Sequence, residues 1–362
     1  MCIEEHVALA PYTTLAVGGP ARYFVAVESI AELEEALSFA RAHGLSTFVL
    51  GGGSNIVVSD HGFDGLVVKN EIGGMTFGET GTVRAGAGVE WDKLVSASVA
   101  RGLWGIESMS GIPGTVGAAI VGNIAAYGQA VSDTLQSVEI VDAASGGAAI
   151  ERRAVSSLGL RYRYSDFQNS TLESKVILAA TFQLSTSTTS ELKYESALRV
   201  ARELKLDVGN LSQRRAVILE ARRRAGSLLA GSGSEQPHTA GSFFRNPVVS
   251  PELAERLIVQ EEFGISGKGV LRQNLVHGGS ASRVSAAHVL LAAGFARGQT
   301  WGRVRLHPQH ILKVENLGGA TAQDIYEVTH TIVATVEHSL GVTLEPEVRF
   351  IGTFSKNLKP KI

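Results

Sequence analysis

Apolar residues recur along this chain at two spacings, and the alternation between them predicts its elements. In "RYFVAV" (22–27) they run close together, as in a strand. "SIAELEEALSFARAHG" (29–44) spaces them three and four apart, the period of a helix face. Ser29 with Glu32 forms a capping-box pattern, and Gly44 is a natural stop. "STFVLGGGSN" (46–55) is a short β-rich run ending in glycines, so this region reads as a β-α-β unit whose second strand opens into a loop. "GLVVKN" (65–70) predicts one more strand.

From about 70 to 190 the pattern shifts to short strands, "GTVRAGAG", "SVEIVDA" and "KVILAATFQL", with a helix at "WDKLVSASVARG". Two successive helices follow, "SELKYESALRVARELKL" and "LSQRRAVILEARRR". "LLAGSGSEQPHTAG" (228–241) is small, polar and flexible and reads as a linker. Beyond it come helical patterns at "PELAERLIVQEEFG" and "SAAHVLLAAGFARG", a strand at "HILKVEN", a long helix at "TAQDIYEVTHTIVATVEHSLG" and a strand at "LEPEVRFIG". The expectation is an α+β chain of three parts.

Composition narrows the function. A chain of 362 residues with 44% hydrophobic and 19% charged residues can bury a sizeable core. The formal net charge of −2 gives no electrostatic case for nucleic acid or an anionic membrane. With one cysteine, Cys2, no internal disulfide or thiolate metal site forms, which fits a reducing compartment. Neither a secretion signal nor a membrane-length apolar run is visible, so the cytoplasm is expected. The 41 glycines stand out, many of them alternating with apolar residues between positions 51 and 128, as in packed loops approached closely by something.

"GGGSN", Gly51 to Asn55, could cradle a phosphate with bare N–H groups, Ser54 and Asn55 adding side-chain bonds; a tight turn explains it equally well. It is neither a Walker loop nor a Rossmann fingerprint. A second glycine-apolar segment, "SGIPGTVGAAIVGNIAAYG", would suit an extended dinucleotide lying between two subdomains. In "GSFFRNP", Ser242 has no activating base beside it, and a serine bonding its own turn is the plain alternative to a catalytic one. "HPQH" (307–310) leads into a strand, where its histidines diverge, so no metal is expected.

"TTLAVGGPARYFV", "VLGGGSNIVVSDHGFDGLVV", "GIESMSGIPGTVGAAIVGNIAAYG", "YRYSDF", "AGSFFRNP" and "LEPEVRFIG" occur in the order seen in the UDP-N-acetylenolpyruvoylglucosamine reductases, and the chain resembles that family from Thr14 to Gly352. The resemblance implies a vanillyl-alcohol-oxidase (PCMH)-type FAD-binding fold of two subdomains, 1–70 and 71–226, plus a C-terminal α+β substrate-binding domain, 227–347. The tail 348–362 would pack back on the first subdomain. It implies non-covalent FAD, NADPH as co-substrate, and UDP-N-acetylglucosamine enolpyruvate as the compound reduced in peptidoglycan synthesis, with no obligate protein partner. Gly51, Gly52, Gly53, Ser54, Asn55, Ser110, Gly111, Pro113, Gly114 and Gly117 would surround FAD.

By the same resemblance Ser242 is the proton donor, Arg163 supports the substrate carboxylate and Glu347 stands near the reacting carbon. Spacing alone does not choose between Arg161 and Arg163. Tyr194 matches a residue on the nucleotide diphosphate, Asn246 a substrate-binding asparagine, and His310 a position near the substrate. Two departures stand out. Gly122 replaces a common glutamine, and "RRRAGSLLAGSGSEQPHTAG" lacks the family's usual diphosphate-binding lysine. Either one of Arg222–Arg224 substitutes or affinity for the UDP part is lower. A different oxidase of the same flavin fold, acting on a sugar or alcohol, is the alternative.

Overall fold

The structure is a computed structural model that describes residues 1–146, 149–168, 171–188, 191–228, 238–259 and 283–355. It divides into two units, the first made of Met1–Val7, Ala21–Gly53 and Phe63–Ser232, the second of Ala8–Pro20, Ser54–Gly62 and Gly233–Ile362. The division falls inside "GGGSN": Gly51, Gly52 and Gly53 belong to the first unit, Ser54 and Asn55 to the second.

The first unit opens with a four-stranded sheet in the order Glu4–Ala8, Pro20–Val27, Phe63–Asn70, Ser46–Leu50. Pro20–Val27 and Ser46–Leu50 both run parallel to the strand between them. The crossover helix Ile30–Ala42 begins at a formed capping box, the Ser29 hydroxyl accepting from Glu32 N–H and the Glu32 carboxylate from Ser29 N–H. Its buried face, Leu33, Ala36, Leu37 and Ala40, packs in one core with Val25, Val27, Leu66 and Val68. Truncating Leu37 to Ala would cost about 2–5 kcal/mol.

An antiparallel five-stranded sheet follows, ordered Glu151–Ala154, Leu135–Asp142, Lys175–Gln183, Thr82–Gly86, Met75–Phe77. Its core is anchored by Trp91 on the helix Trp91–Val99, edge-on to Phe182 at 6.1 Å. The helices Glu195–Leu204 and Leu211–Arg224 pack on each other through Ala197, Val200, Ala201, Val217, Ile218 and Ala221.

In the second unit a sheet runs His238–Ser242, Lys313–Asn316, Val304–Leu306, Thr300–Trp301, all antiparallel. The helix Ala322–Leu340 buries Ile325, Val328, Ile332 and Val336 in the core behind it. Its first N–H groups, from Ala322 and Gln323, are held at 2.8 and 2.9 Å by the Asp60 carboxylate, a negative charge at the positive helix end. Arg349–Ile351 pairs in parallel with Ile56–Val58.

The structure differs from the sequence reading in three places. Residues 238–241 were read as the end of a linker but begin a strand, because Lys313–Asn316 supplies hydrogen-bond partners about seventy positions away. The strand expected at "LEPEVRFIG" forms only over Arg349–Ile351; Pro346 has no N–H for a ladder. "HILKVEN" becomes a strand only from Lys313. Residues 229–237 of the proposed linker lie outside the described residues.

Candidate active site

In the second unit the chain carrying Ser242 lies between two others. Phe243 N–H donates to the Leu312 carbonyl on one side, and Glu347 N–H donates to the Phe243 carbonyl on the other, each at 2.8 Å. Arg245 N–H reaches the Glu345 carbonyl at 2.9 Å. The segments bearing Ser242 and Glu347 are thereby zipped together. Gly241, at φ +77°, makes the irregularity in this ladder, a conformation an L side chain rarely adopts, and it re-aims the serine that follows. The Ser242 hydroxyl makes no hydrogen bond among the described residues, so it is not spent on holding its own turn. Cross-strand from it is Lys313, whose side chain is fully buried.

Asn55, also in the second unit, reaches the same place: its Nδ2 donates to the Glu347 carbonyl at 3.1 Å, and its own carbonyl accepts from Arg349 N–H at 3.1 Å. Glu345 and Glu347, two residues apart, lie in different surroundings. Glu345 is exposed and meets Arg245 at 3.5 Å, whereas Glu347 lies half-buried on the bend before the strand. Asn246 acts as a cap supplied from elsewhere, its Oδ1 accepting from Ala286 N–H at 2.9 Å at the start of Ala286–Ala292. His310 sits in the turn between Val304–Leu306 and Lys313–Asn316, beside buried His307. Burial first, then the charges of Lys313 and His307, push the His310 imidazole down to about 4, so it is neutral at physiological pH.

In the first unit the two glycine loops meet. A Cβ on Gly52 would lie 2.6 Å from the Gly114 Cα, and one on Gly51 would lie 2.8 Å from the Thr115 hydroxyl. Only glycines let these backbones approach so closely. Among the described residues the N–H groups of Gly52 and Gly53 make no hydrogen bond, which leaves donors at the loop. The short helix Val116–Val121 offers none at its start: Val116 and Gly117 donate to Val89 and Ala87 carbonyls, and Ala118 to the Thr115 hydroxyl. Gly117 therefore packs on Ala87, while Ser110 is buried with its hydroxyl on the Glu107 carbonyl at 2.6 Å. Gly111 donates its N–H to Asp92 at 2.6 Å. An anion at these loops would be met by the open amides of 52–53, not by a helix end.

Arg163 and Arg161 part company. Arg161 is exposed and stacks on Tyr164 at 3.6 Å. Arg163, at φ +54°, turns inward and donates Nη2 to the Ala125 carbonyl at 3.0 Å. Tyr194 is not within a helix but caps Glu195–Leu204, its ring edge-on to Tyr127 at 5.5 Å and electrostatically coupled to Arg163. Burial pushes both phenols up, so both are hydrogen-bond donors.

Several neighbours carry no sequence signal. Buried Glu107 accepts from Arg214, Gln129 and Gly105 at 3.0, 2.9 and 2.7 Å, which holds the turn leading to Ser110. Asp92 takes two 2.7 Å bonds from Arg215. Burial pushes its carboxyl up, but Arg215 and the Gly111 N–H outweigh that and hold it below the usual range. Arg222, at the end of Leu211–Arg224, is half-buried, its Nε 3.4 Å from where a Cβ on Gly111 would lie.

Residues 21–148 match the family model for an FAD binding domain, and 234–351 that for the C-terminal domain of UDP-N-acetylenolpyruvoylglucosamine reductase. The reductase of Thermobifida fusca is 35% identical over 356 residues, 96% of this chain and 98% of that protein. That of Saccharopolyspora erythraea is 37% identical over 94% of this chain and 93% of its own. This chain belongs to the UDP-N-acetylenolpyruvoylglucosamine reductase family. The solved reductase of Thermus caldophilus, 25% identical, superposes with a TM-score of 0.64 over 97% of this chain and all of that one. The α+β fold with its FAD-binding domain is that of the reductases. The glycine contacts of 51–52 with 114–115 and the open amides of 52–53 fit a cofactor that brings a pyrophosphate against backbone.

Proposed function

We infer that this chain reduces UDP-N-acetylglucosamine enolpyruvate to UDP-N-acetylmuramate, with FAD as cofactor and NADPH as co-substrate, in peptidoglycan synthesis. The observation that carries the reading is the 35% identity to a reductase over 96% of the chain. FAD, held at Gly52 and Gly53, would supply the hydride transfer that links NADPH to C3 of the enolpyruvyl group.

Gly52 and Gly53 are the residues we assign to the cofactor's pyrophosphate. Hydride addition leaves electron density on C2, shared with the adjoining carboxylate. The Arg163 guanidinium holds that carboxylate, where a planar fork matches an anion whose charge grows. The Ser242 hydroxyl gives its proton to C2: an O–H bond breaks, a C–H bond forms, and the alkoxide is reprotonated from water. A serine is a weak acid, but a carbanionic C2 is basic enough, so position is what matters. Glu347 is assigned to the surroundings of the reacting carbon, where its carboxyl must be protonated or answered by Arg163. Tyr194, Asn246 and His310 are assigned to the nucleotide and sugar portions.

Net charge −2 supports a protein acting on small molecules and not on nucleic acid. Among the described residues no helix is long and apolar enough to cross a membrane. A cytoplasmic location is supported by the single cysteine. The test is anaerobic: NADPH bleaches the bound flavin, and UDP-N-acetylglucosamine enolpyruvate restores its colour. Failure of the second step with intact bleaching would refute the assigned substrate.

A further inference from the structure

The sheet of the second unit has two unlike faces. Ala240, Phe243, Val304, Leu306, Leu312 and Val314 belong to the apolar core. The opposite face is polar and is also closed to water: Thr239, His307 and Glu315 are buried, and Lys313 is 1% exposed. Arg305 answers Glu315 with two bonds to Oε2, at 2.9 and 2.7 Å. The Thr239 hydroxyl is enclosed with no hydrogen-bond partner among the described residues.

An irregularity in the ladder decides which face Ser242 joins. Thr239 pairs with Glu315 and Ser242 with Lys313, so a step of three residues on one strand answers a step of two on the other. Counted by strict alternation from Thr239, Ser242 would fall on the core face with Ala240. The extra residue, at Gly241 with its φ of +77°, turns it to the polar face instead, opposite Lys313. Opposed residues on one face have Cβ atoms about 4.5–5.5 Å apart, within reach of a lysine's four-carbon stem. On the other side of Lys313 is His307, whose N–H donates to the Lys313 carbonyl at 2.9 Å. After burial, Lys313 is the leading cause that pushes the His307 and His310 imidazoles down. Both imidazoles are thereby kept neutral, and the positive charge of the row Ser242, Lys313, His307 rests on the lysine.

When the Ser242 O–H bond breaks and a C–H bond forms at C2, negative charge passes from carbon to the serine oxygen. Beside so buried a face that oxygen needs a fixed positive charge, because a hydroxyl unaided is too weak an acid. We propose that Lys313 is a positioning residue for the proton transfer: its ammonium, opposite Ser242 on the same sheet face, holds the alkoxide until water returns its proton. The lysine keeps its own protons throughout. This rests on the reductase reading and adds to it a cation for the proton donor, separate from the arginine assigned to the substrate carboxylate.

The test is a double-mutant cycle read on the two half-reactions of the FAD-loaded protein. K313M, close to lysine in volume, should be bleached by NADPH at the parental rate and be reoxidised by UDP-N-acetylglucosamine enolpyruvate about tenfold or more slowly. In S242A, where no alkoxide forms, adding K313M should slow reoxidation no further. K313R, which keeps the charge, should recover part of the loss. Parental reoxidation in K313M overturns the proposal. So does an added loss in S242A as large as in the parent, which would place the lysine's effect on the substrate or the fold, and so does equal slowing of both half-reactions. Should K313M fail to hold flavin, K313Q and K313R carry the comparison, and reoxidation that ignores their difference in charge refutes the role. A parent protein that the enolpyruvyl compound does not reoxidise would refute the reductase reading itself.

Discussion

Glu347 donates its backbone N–H to the carbonyl of Phe243 at 2.8 Å, so the glutamate and the residue after Ser242 sit in hydrogen-bonded neighbouring segments. Asn55 holds the same glutamate from its other backbone group, at 3.1 Å. The Glu347 backbone is thus held at both its N–H and its carbonyl. Asn55→Ala should cost about 1 kcal/mol of stability, the worth of one hydrogen bond. It should lower kcat by more than that loss suggests, since misplacement of a reacting group by about 1 Å can cost up to a hundredfold. Thermal melts beside steady-state kinetics separate the two effects.

Gly52→Ala places a methyl 2.6 Å from the Gly114 backbone. Neither side is a flexible side chain, so the two loops must part. The variant should purify with less flavin, its FAD dissociation constant raised about tenfold, and it should lose about 1–3 kcal/mol of stability. The ratio of flavin to protein absorbance reads the first effect. A fully flavinated protein with the parental melting temperature would contradict it.

Glu107 and Arg214 are an ion pair at 3.0 Å with side chains 0% and 4% exposed. Removing one charge strands the other. Glu107→Gln should therefore destabilise by about 3–5 kcal/mol. Because Glu107 also carries the turn before Ser110, flavin binding should weaken together with stability in denaturant titrations that follow flavin release.

His310 has its imidazole pushed down to about 4 from an ordinary 6.5. Between those values the unfolded chain binds the proton that the folded chain refuses, so stability rises with pH across that window and falls as pH drops through it. Burial is the main cause, with Lys313, His307 and Arg297 adding repulsion. His310→Gln should flatten the melting temperature between pH 6.5 and 4 and leave it unchanged above pH 7. A parental slope in the variant would assign the proton elsewhere.

Elements whose signal is local were legible in the sequence. The capping pair Ser29–Glu32 and the helical spacing after it lie within one turn or two, and the helix forms there. The strand His238–Ser242 was not legible, because small residues with no alternation take their structure from a partner strand far along the chain. Nor was the difference between exposed Arg161 and half-buried Arg163, the second of which has a positive φ and bonds the Ala125 carbonyl. Glu107 was invisible for a related reason: a charged residue reads as surface until packing places it, and its partners Gln129 and Arg214 come from elsewhere in the chain.

The central claim is that the Ser242 hydroxyl supplies the proton to carbon and does nothing for the first half of the reaction. Ser242→Ala is mixed anaerobically with NADPH, then with UDP-N-acetylglucosamine enolpyruvate, and flavin absorbance is followed through both steps. Bleaching by NADPH should proceed at the parental rate and reoxidation by the enolpyruvyl compound should slow by at least about a hundredfold. Parental reoxidation, or equal slowing of both steps, would contradict the role given to this serine.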